Sequence, residues 1–288
     1  MLGLQLLLYG IALGSLYALV AIGFALIFST TRVFHIAHGA TYVLAGYVFF
    51  AASIAGRWPV WVGVLVAALA ALAFGMGTEW FIYRPIRRAR ESFFTLFVAS
   101  FGWLVVVSNA IALVFGSQYV TGQSAWVTGV PIGRLELRPI DGLTVLVAGV
   151  LFGAMQWLMH RTRLGIMFRA LADDPELLRA AGFEGSRYYL WAMAIGSLLA
   201  VPAAVIGTYT VGLTPTLGTT IATVAFAASI VGGIGSYVGA AVGALVLGAA
   251  EDLGVWKLPA DWQTAIAFGV LFVFLLLRPH GILGRPSR

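Results

Sequence analysis

The 288-residue chain contains no cysteine, which removes both a disulfide framework and any thiolate metal site. It has a single lysine, Lys257, within Val255–Pro259. A phosphate-binding loop needs a glycine-rich turn with a lysine reaching the phosphates. No such turn surrounds Lys257, so any ATP hydrolysis that powers this chain belongs to another one. Charge is scarce too: 10% of residues are charged and 61% are apolar, where a soluble domain carries roughly 25% and 45–50%. That composition cannot coat a water-facing surface, and it is equally far from the polar composition of disorder. Four histidines and 11 acids, scattered, do not form the Ser/His, paired-Asp or metal constellation of an intramembrane enzyme.

Long apolar runs are what the chain does have. Leu2–Phe28, Ile36–Ala55, Val60–Thr78, Phe93–Gly116, Leu143–Met159 and Trp262–Leu277 meet or approach the ~20 residues of a bilayer crossing. Between Arg187 and Glu251 lie 63 residues without formal charge, ~95 Å as helix and enough for about three crossings. Gly212, Pro215, Gly218 and Gly232–Gly235 divide that run near 188–211, 219–234 and 236–253. The fold class is all-α: a polytopic transmembrane helical bundle of about 8–10 membrane segments, re-entrant or broken helices included. The first run is too long for the core of a secretory signal and has no basic flank before it, so it reads as a retained span.

The formal charge of +6 is distributed as a topology signal, not as a nucleic-acid surface. Arg32, then Arg84, Arg87, Arg88 and Arg90, then Arg161, Arg163, Arg169, Arg179 and Arg187, then Arg278, Arg285 and Arg288 take 13 of the 17 basic residues. Three crossings before Arg84 place the N-terminus outside and the C-terminus in the cytoplasm. Parity is satisfied equally by two spans or one re-entrant hairpin in 219–253. Residues 117–142 read as an external loop with a short hairpin, and residues 161–187 as a cytoplasmic loop.

In the cytoplasmic loop, Asp173 or Asp174 can cap a short helix with Pro175 in its first turn, Glu176 favourable to its dipole and Gly182 at its end. Leu177, Leu178 and Ala181 give it a small apolar face. Such a helix either lies on the membrane surface or docks another subunit. Polar groups within spans are functional candidates. His35 and His38, three apart, share a face if helical and are short of a metal-ligand set. Glu251 and Asp252 close the uncharged run near its boundary, where they either face a polar cavity or are simply solvated. Glu79 lies close to the Arg84–Arg90 cluster as an ion partner. Gly10 and Gly14, and Gly235, Gly239 and Gly243, have the four-residue spacing of close helix approach. Pro202 would remove one helical hydrogen bond.

Leu13–Phe28, Ile36–Tyr47, Leu164–Phe183, Val231–Leu253 and Arg278–Pro286, taken in order, resemble the permeases of the branched-chain amino acid ABC transporter family, and the first, shorter permease of the pair most closely. The resemblance implies a single permease domain over 1–288 in a bacterial inner (cytoplasmic) membrane. It also implies a second permease subunit as heterodimer partner, two cytoplasmic ATPase subunits and an external substrate-binding protein. ATP and Mg would be held by the ATPases, with no cofactor on this chain. It further implies that Arg169–Phe183, including Asp173, Asp174, Pro175, Glu176, Leu177, Leu178 and Gly182, is the coupling segment seated in an ATPase groove. Solute would pass His35, His38, Gly39 and Tyr42 and the break at Pro215 and Gly218. The family commonly reads Asn-Phe-Ala-His-Gly-Glu where this chain has His35–Ala40, a Lys at Val224 and an Asp at Thr264. Those changes bear on the solute: a branched-chain amino acid or a related amide or carboxylate. The alternative, an ion-gradient-driven secondary transporter, predicts paired acids at membrane depth and a clear internal repeat, and neither is evident.

Overall fold

A computed structural model describes residues 2–89, 91–133, 135–259, 262–278 and 280–284. Arg90, Arg285 and Arg288, three of the cations used for topology, lie outside the described residues, as does the side chain of Arg179. The chain runs α1 (Leu2–Thr31), α2 (His38–Phe49, continued by a π-helical stretch to Ala55) and α3 (Val60–Thr78). A second π-helical stretch (Glu79–Tyr83) leads into α4 (Arg84–Arg88) and then α5 (Phe93–Phe115). After α5 comes a hairpin of β1 (Val130–Ile132) and β2 (Leu135–Leu137), in which Val130 pairs with Leu137. The remainder is helical: α6 (Pro139–Arg161), α7 (Arg163–Asp173), α8 (Pro175–Ala180), α9 (Gly185–Thr210), α10 (Leu217–Gly232), α11 (Tyr237–Gly254) and α12 (Gln263–Leu277). Seven of the spans are long and apolar enough to cross a membrane; α10 and α12 are apolar but shorter. The expected segments are all present. The amphipathic helix α7 was not anticipated, because Arg163, Arg169 and Asp173 hide its buried face of Gly165, Phe168 and Leu171.

Burial sorts the helices into a centre and a rim. Helix α1 is buried over most of Gly10–Thr31 and is packed by α9, α10 and α11. Helices α3, α5 and α6 bury one face each. In α5 that face is Leu96, Ser100, Leu104, Val107 and Ile111, at the spacing of a single helical stripe. Their other faces expose Leu65, Leu69, Phe101, Val106, Leu146 and Val150. In water this much exposed apolar surface would aggregate; in a bilayer it is the lipid contact.

Lipid removes most of the hydrophobic drive between helices, so the centre is held by close backbone packing. A Cβ on Gly14 would lie 2.8 Å from Leu245 Cα, and one on Gly10 2.8 Å from Ala249 Cα, so α1 and α11 touch main chain to main chain. The partner glycine on α11 is Gly248, not part of the expected Gly235–Gly243 repeat. Within that repeat, Gly239 and Gly243 do pack, against Gly232 and Ala228 of α10. Gly235 instead faces open space, with φ +87° in the turn.

Two connections are fastened to helix ends, whose last carbonyls have no partner within the helix. The loop after α5 supplies the Tyr119 hydroxyl to Val211 O at 2.9 Å and Gly122 N–H to Thr208 O at 3.1 Å, and it pairs Val120 with Leu213. At the other end of the bundle, the segment after α12 gives Ile282 N–H to Val231 O and Leu283 N–H to Gly232 O, both at 2.9 Å, closing the end of α10.

Candidate solute route and coupling surface

Three sites can be built from these elements. The first is where α2 begins. After Thr31 the chain turns back, and α2 starts only at His38, against the middle of α1. His38 Nε2–H donates to Val20 O at 3.2 Å. His35 therefore lies in the turn before the helix, and the shared helical face expected for the two histidines does not exist. It bonds instead to the Tyr83 hydroxyl through Nδ1 at 2.7 Å, and the two imidazole centroids are 5.7 Å apart. Ser100 Oγ on α5 accepts the Ala37 N–H at 3.0 Å and so fixes the turn. Gly39 meets Gly218 backbone to backbone, so the starts of α2 and α10 touch inside the bundle. His35, His38 and Tyr42 are fully buried. Among the described residues, His35 Nε2, His38 Nδ1 and the Tyr42 hydroxyl have no hydrogen-bond partner. Buried polar atoms are nearly always paired, so each of these three has hydrogen-bonding capacity to spare. Pro215 is buried in the turn just before α10.

The second site is a groove of about 140 Å³ between the first turns of α10 and α12. Thr219, Thr220, Thr223 and Thr264 supply hydroxyls, and Val224, Ala227, Ala267 and Phe268 supply an apolar wall. Val224 and Thr264, the two positions where a Lys and an Asp are common in the resembled family, thus line one groove on neighbouring helices. Here it is hydroxylic and uncharged. Thr219, Thr220 and Thr223 were not singled out from sequence, although Thr219 and Thr223 repeat at helical spacing in an uncharged run. Thr223 also donates to its own backbone, at Thr219 O, 2.7 Å away.

The third site is the loop between α6 and α9. Asp174 Oδ1 accepts N–H bonds from Glu176 and Leu177, both at 2.9 Å, which is the expected cap with Pro175 opening α8. Of the two candidates it is Asp174 that caps; Asp173 ends α7. Gly182 stands at φ +85°, a left-handed terminator, and Phe183 N–H reaches back to Leu178 O. The apolar face expected of α8 is split. Leu178 is buried against the bundle, whereas Leu177 is 67% exposed and Phe183 47%. Arg169 is exposed on α7, near His160. Arg32 donates to Ala172 O, so the first basic residue sits beside this loop.

One of the two acids singled out from sequence, Glu251, differs in setting from what its position suggests. Glu251 is 2% exposed, not solvated, and accepts the Tyr17 hydroxyl at 3.0 Å. Its partner lies 234 residues away, so no local signal could have found the pair. Glu79 is buried and ion-paired with Arg87, as its neighbourhood suggested.

A bundle of lipid-exposed apolar helices with spare polar capacity inside, and an exposed capped helix at one end, defines a multi-pass membrane transport subunit. The chain matches the family described as branched-chain amino acid transport system, permease component, over residues 6–275, and it belongs to that family. It is 32% identical to the high-affinity branched-chain amino acid transport system permease protein BraD of Pseudomonas aeruginosa, over 99% of this chain and 96% of that one. Its likeness to the corresponding permease protein LivH of Escherichia coli is 30%, with the same coverage. The autoinducer 2 import system permease protein LsrC of Yersinia pestis is 29% identical over 62% of this chain and 52% of its own length. No solved structure matches the chain significantly.

Proposed function

We propose that this permease subunit serves an ATP-binding-cassette importer and carries a small polar solute, a branched-chain amino acid or a related amide or carboxylate. An external binding protein delivers the solute, a second permease completes the channel, and two ATPases holding ATP and Mg drive the cycle. The N-terminus faces outside and the C-terminus the cytoplasm, with the hydrogen-bonded loop after α5 on the receiving side.

The observation that carries this reading is α8. A helix of six residues is too short to persist alone, yet this one is capped at Asp174, terminated at Gly182 and anchored by Leu178 while Leu177 points away from the bundle. An exposed leucine on a rigid turn beside the basic residues suits an ATPase groove. The coupling segment Arg169–Phe183 then passes ATPase motion to α7 and α9. Solute selection inside the bundle falls to the threonine groove, whose hydroxyls suit polar ends and whose wall suits an aliphatic side chain. The spare polar atoms of His35, His38 and Tyr42 become available as α2 and α10 shift at the Gly39–Gly218 contact.

The test is Leu177→Asp in the assembled transporter. ATPase subunits should be lost on purification and uptake should fall to background, while the melting temperature stays unchanged because Leu177 touches little of its own chain. Normal ATPase yield with this variant refutes the docking assignment. Leu178→Asp is no substitute, since it buries a charge. Wild-type uptake should survive collapse of ion gradients and fail on ATP depletion; the reverse pattern identifies a secondary transporter.

A further inference from the structure

A cavity of about 530 Å³ lies between α4 and the turn from α8 into α9. Arg84, Arg87 and Arg88 line one side, with Glu79, and the Gly182–Tyr189 turn lines the other. Both carboxylates are ion-paired, although Glu79 Oε2 is left without a hydrogen-bond partner among the described residues. Glu79 is paired with Arg87, and Glu184 with Arg187 at 3.3 Å and with the Ser186 hydroxyl at 2.9 Å. Among the described residues, Arg84 and Arg88 have no ion-pair partner. Arg84 Nε and Arg87 Nη1 are buried donors with no acceptor. The two better-placed guanidiniums are held by aromatic rings, Arg84 over Trp80 at 4.3 Å and Arg87 over Tyr189 at 4.6 Å. Unmet, pre-positioned guanidinium donors in a cavity of this size ask for an oxyanion, and the planar fork suits phosphate.

We propose that this pocket binds the phosphate of an anionic phospholipid headgroup. The surroundings favour a lipid over a soluble anion. Directly beside the arginines, at the end of the apolar α3, Trp80 and Phe81 are 51% and 77% exposed. Large aromatics at a span's end sit at the membrane interface, so acyl chains can lie along α3 while the headgroup reaches Arg84 and Arg88. Basic pockets between membrane helices at this level are suited to anionic headgroups. The site joins α4 to the turn that follows the coupling helix, so the lipid cross-links the α3–α4 arm to the base of α9.

The experiment uses the complete transporter, purified with its partner subunits after exposure to vesicles of phosphatidylethanolamine and phosphatidylglycerol, with retained lipids counted by native mass spectrometry. The wild type should hold phosphatidylglycerol preferentially. Arg84→Gln with Arg88→Gln should lower its retention roughly tenfold and leave phosphatidylethanolamine unchanged, whereas Arg84→Lys with Arg88→Lys should retain part of it. Excess inorganic phosphate should not displace the lipid. Equal phosphatidylglycerol retention by wild type and variant overturns the proposal, as does displacement by inorganic phosphate. Loss of the ATPase subunits with lipid retention intact overturns it too, by assigning the cations to a protein contact. If the double variant fails to assemble, Arg88→Gln alone, on an exposed residue, answers the same question by a smaller loss.

Discussion

The Tyr17 hydroxyl donates to Glu251 Oε2 at 3.0 Å across the seam where α1 and α11 touch. The helices meet main chain to main chain at Gly10 and Gly14, and among the described residues the Tyr17 hydroxyl is the only side-chain donor to this buried carboxyl. Tyr17→Phe should therefore destabilise the protein by about 1–3 kcal/mol, the cost of an unmet buried polar group. Glu251→Gln keeps an acceptor for the tyrosine and should cost less. Thermal denaturation in detergent checks the order; equal stability of wild type and Tyr17→Phe contradicts it.

Helix starts inside the bundle predict a sharper contrast. A methyl added at Gly39 would coincide with the Gly218 carbonyl, and backbone cannot swing aside. Gly39→Ala should cost at least about 3 kcal/mol, at or beyond the usual range for overpacking. Gly102→Ala, on α5, meets nothing within 4 Å, and should be neutral or stabilising by up to about 1 kcal/mol through helix propensity. The yield of monodisperse protein and its melting temperature distinguish the two.

The threonine groove makes a prediction about transport without one about folding. Thr220 and Thr264 are exposed, so replacing both by Val should leave stability and ATPase binding intact. Two lost hydrogen bonds, each about 0.5–1.5 kcal/mol, should raise the solute concentration for half-maximal uptake roughly tenfold. Unchanged uptake kinetics in membrane vesicles would remove the groove from the route.

What could be read from the chain alone was what is encoded locally. The apolar runs gave the spans, because length and absence of charge decide membrane insertion residue by residue. The Asp174–Pro175 start and the Gly182 stop of α8 were legible because caps act within one turn. His35 was misjudged because nothing local shows that the helix begins at His38; that start depends on Ser100, 63 residues on, accepting the Ala37 N–H. The split of Leu177 from Leu178 was likewise hidden, since it depends on how α8 rests on its neighbours. The pairing of Glu251 with Tyr17 was hidden for the same reason, and the Val224–Thr264 groove needed α10 and α12 side by side.

The bonds from Ile282 and Leu283 to the last carbonyls of α10 have a mechanical corollary. They rivet the far end of α10 to the chain leaving α12, while the threonines sit near the opposite tips of the same two rods, where no such bond joins the pair among the described residues. Any rearrangement between the pair must then work like tongs, pivoting at the rivet and spreading widest where the hydroxyls are.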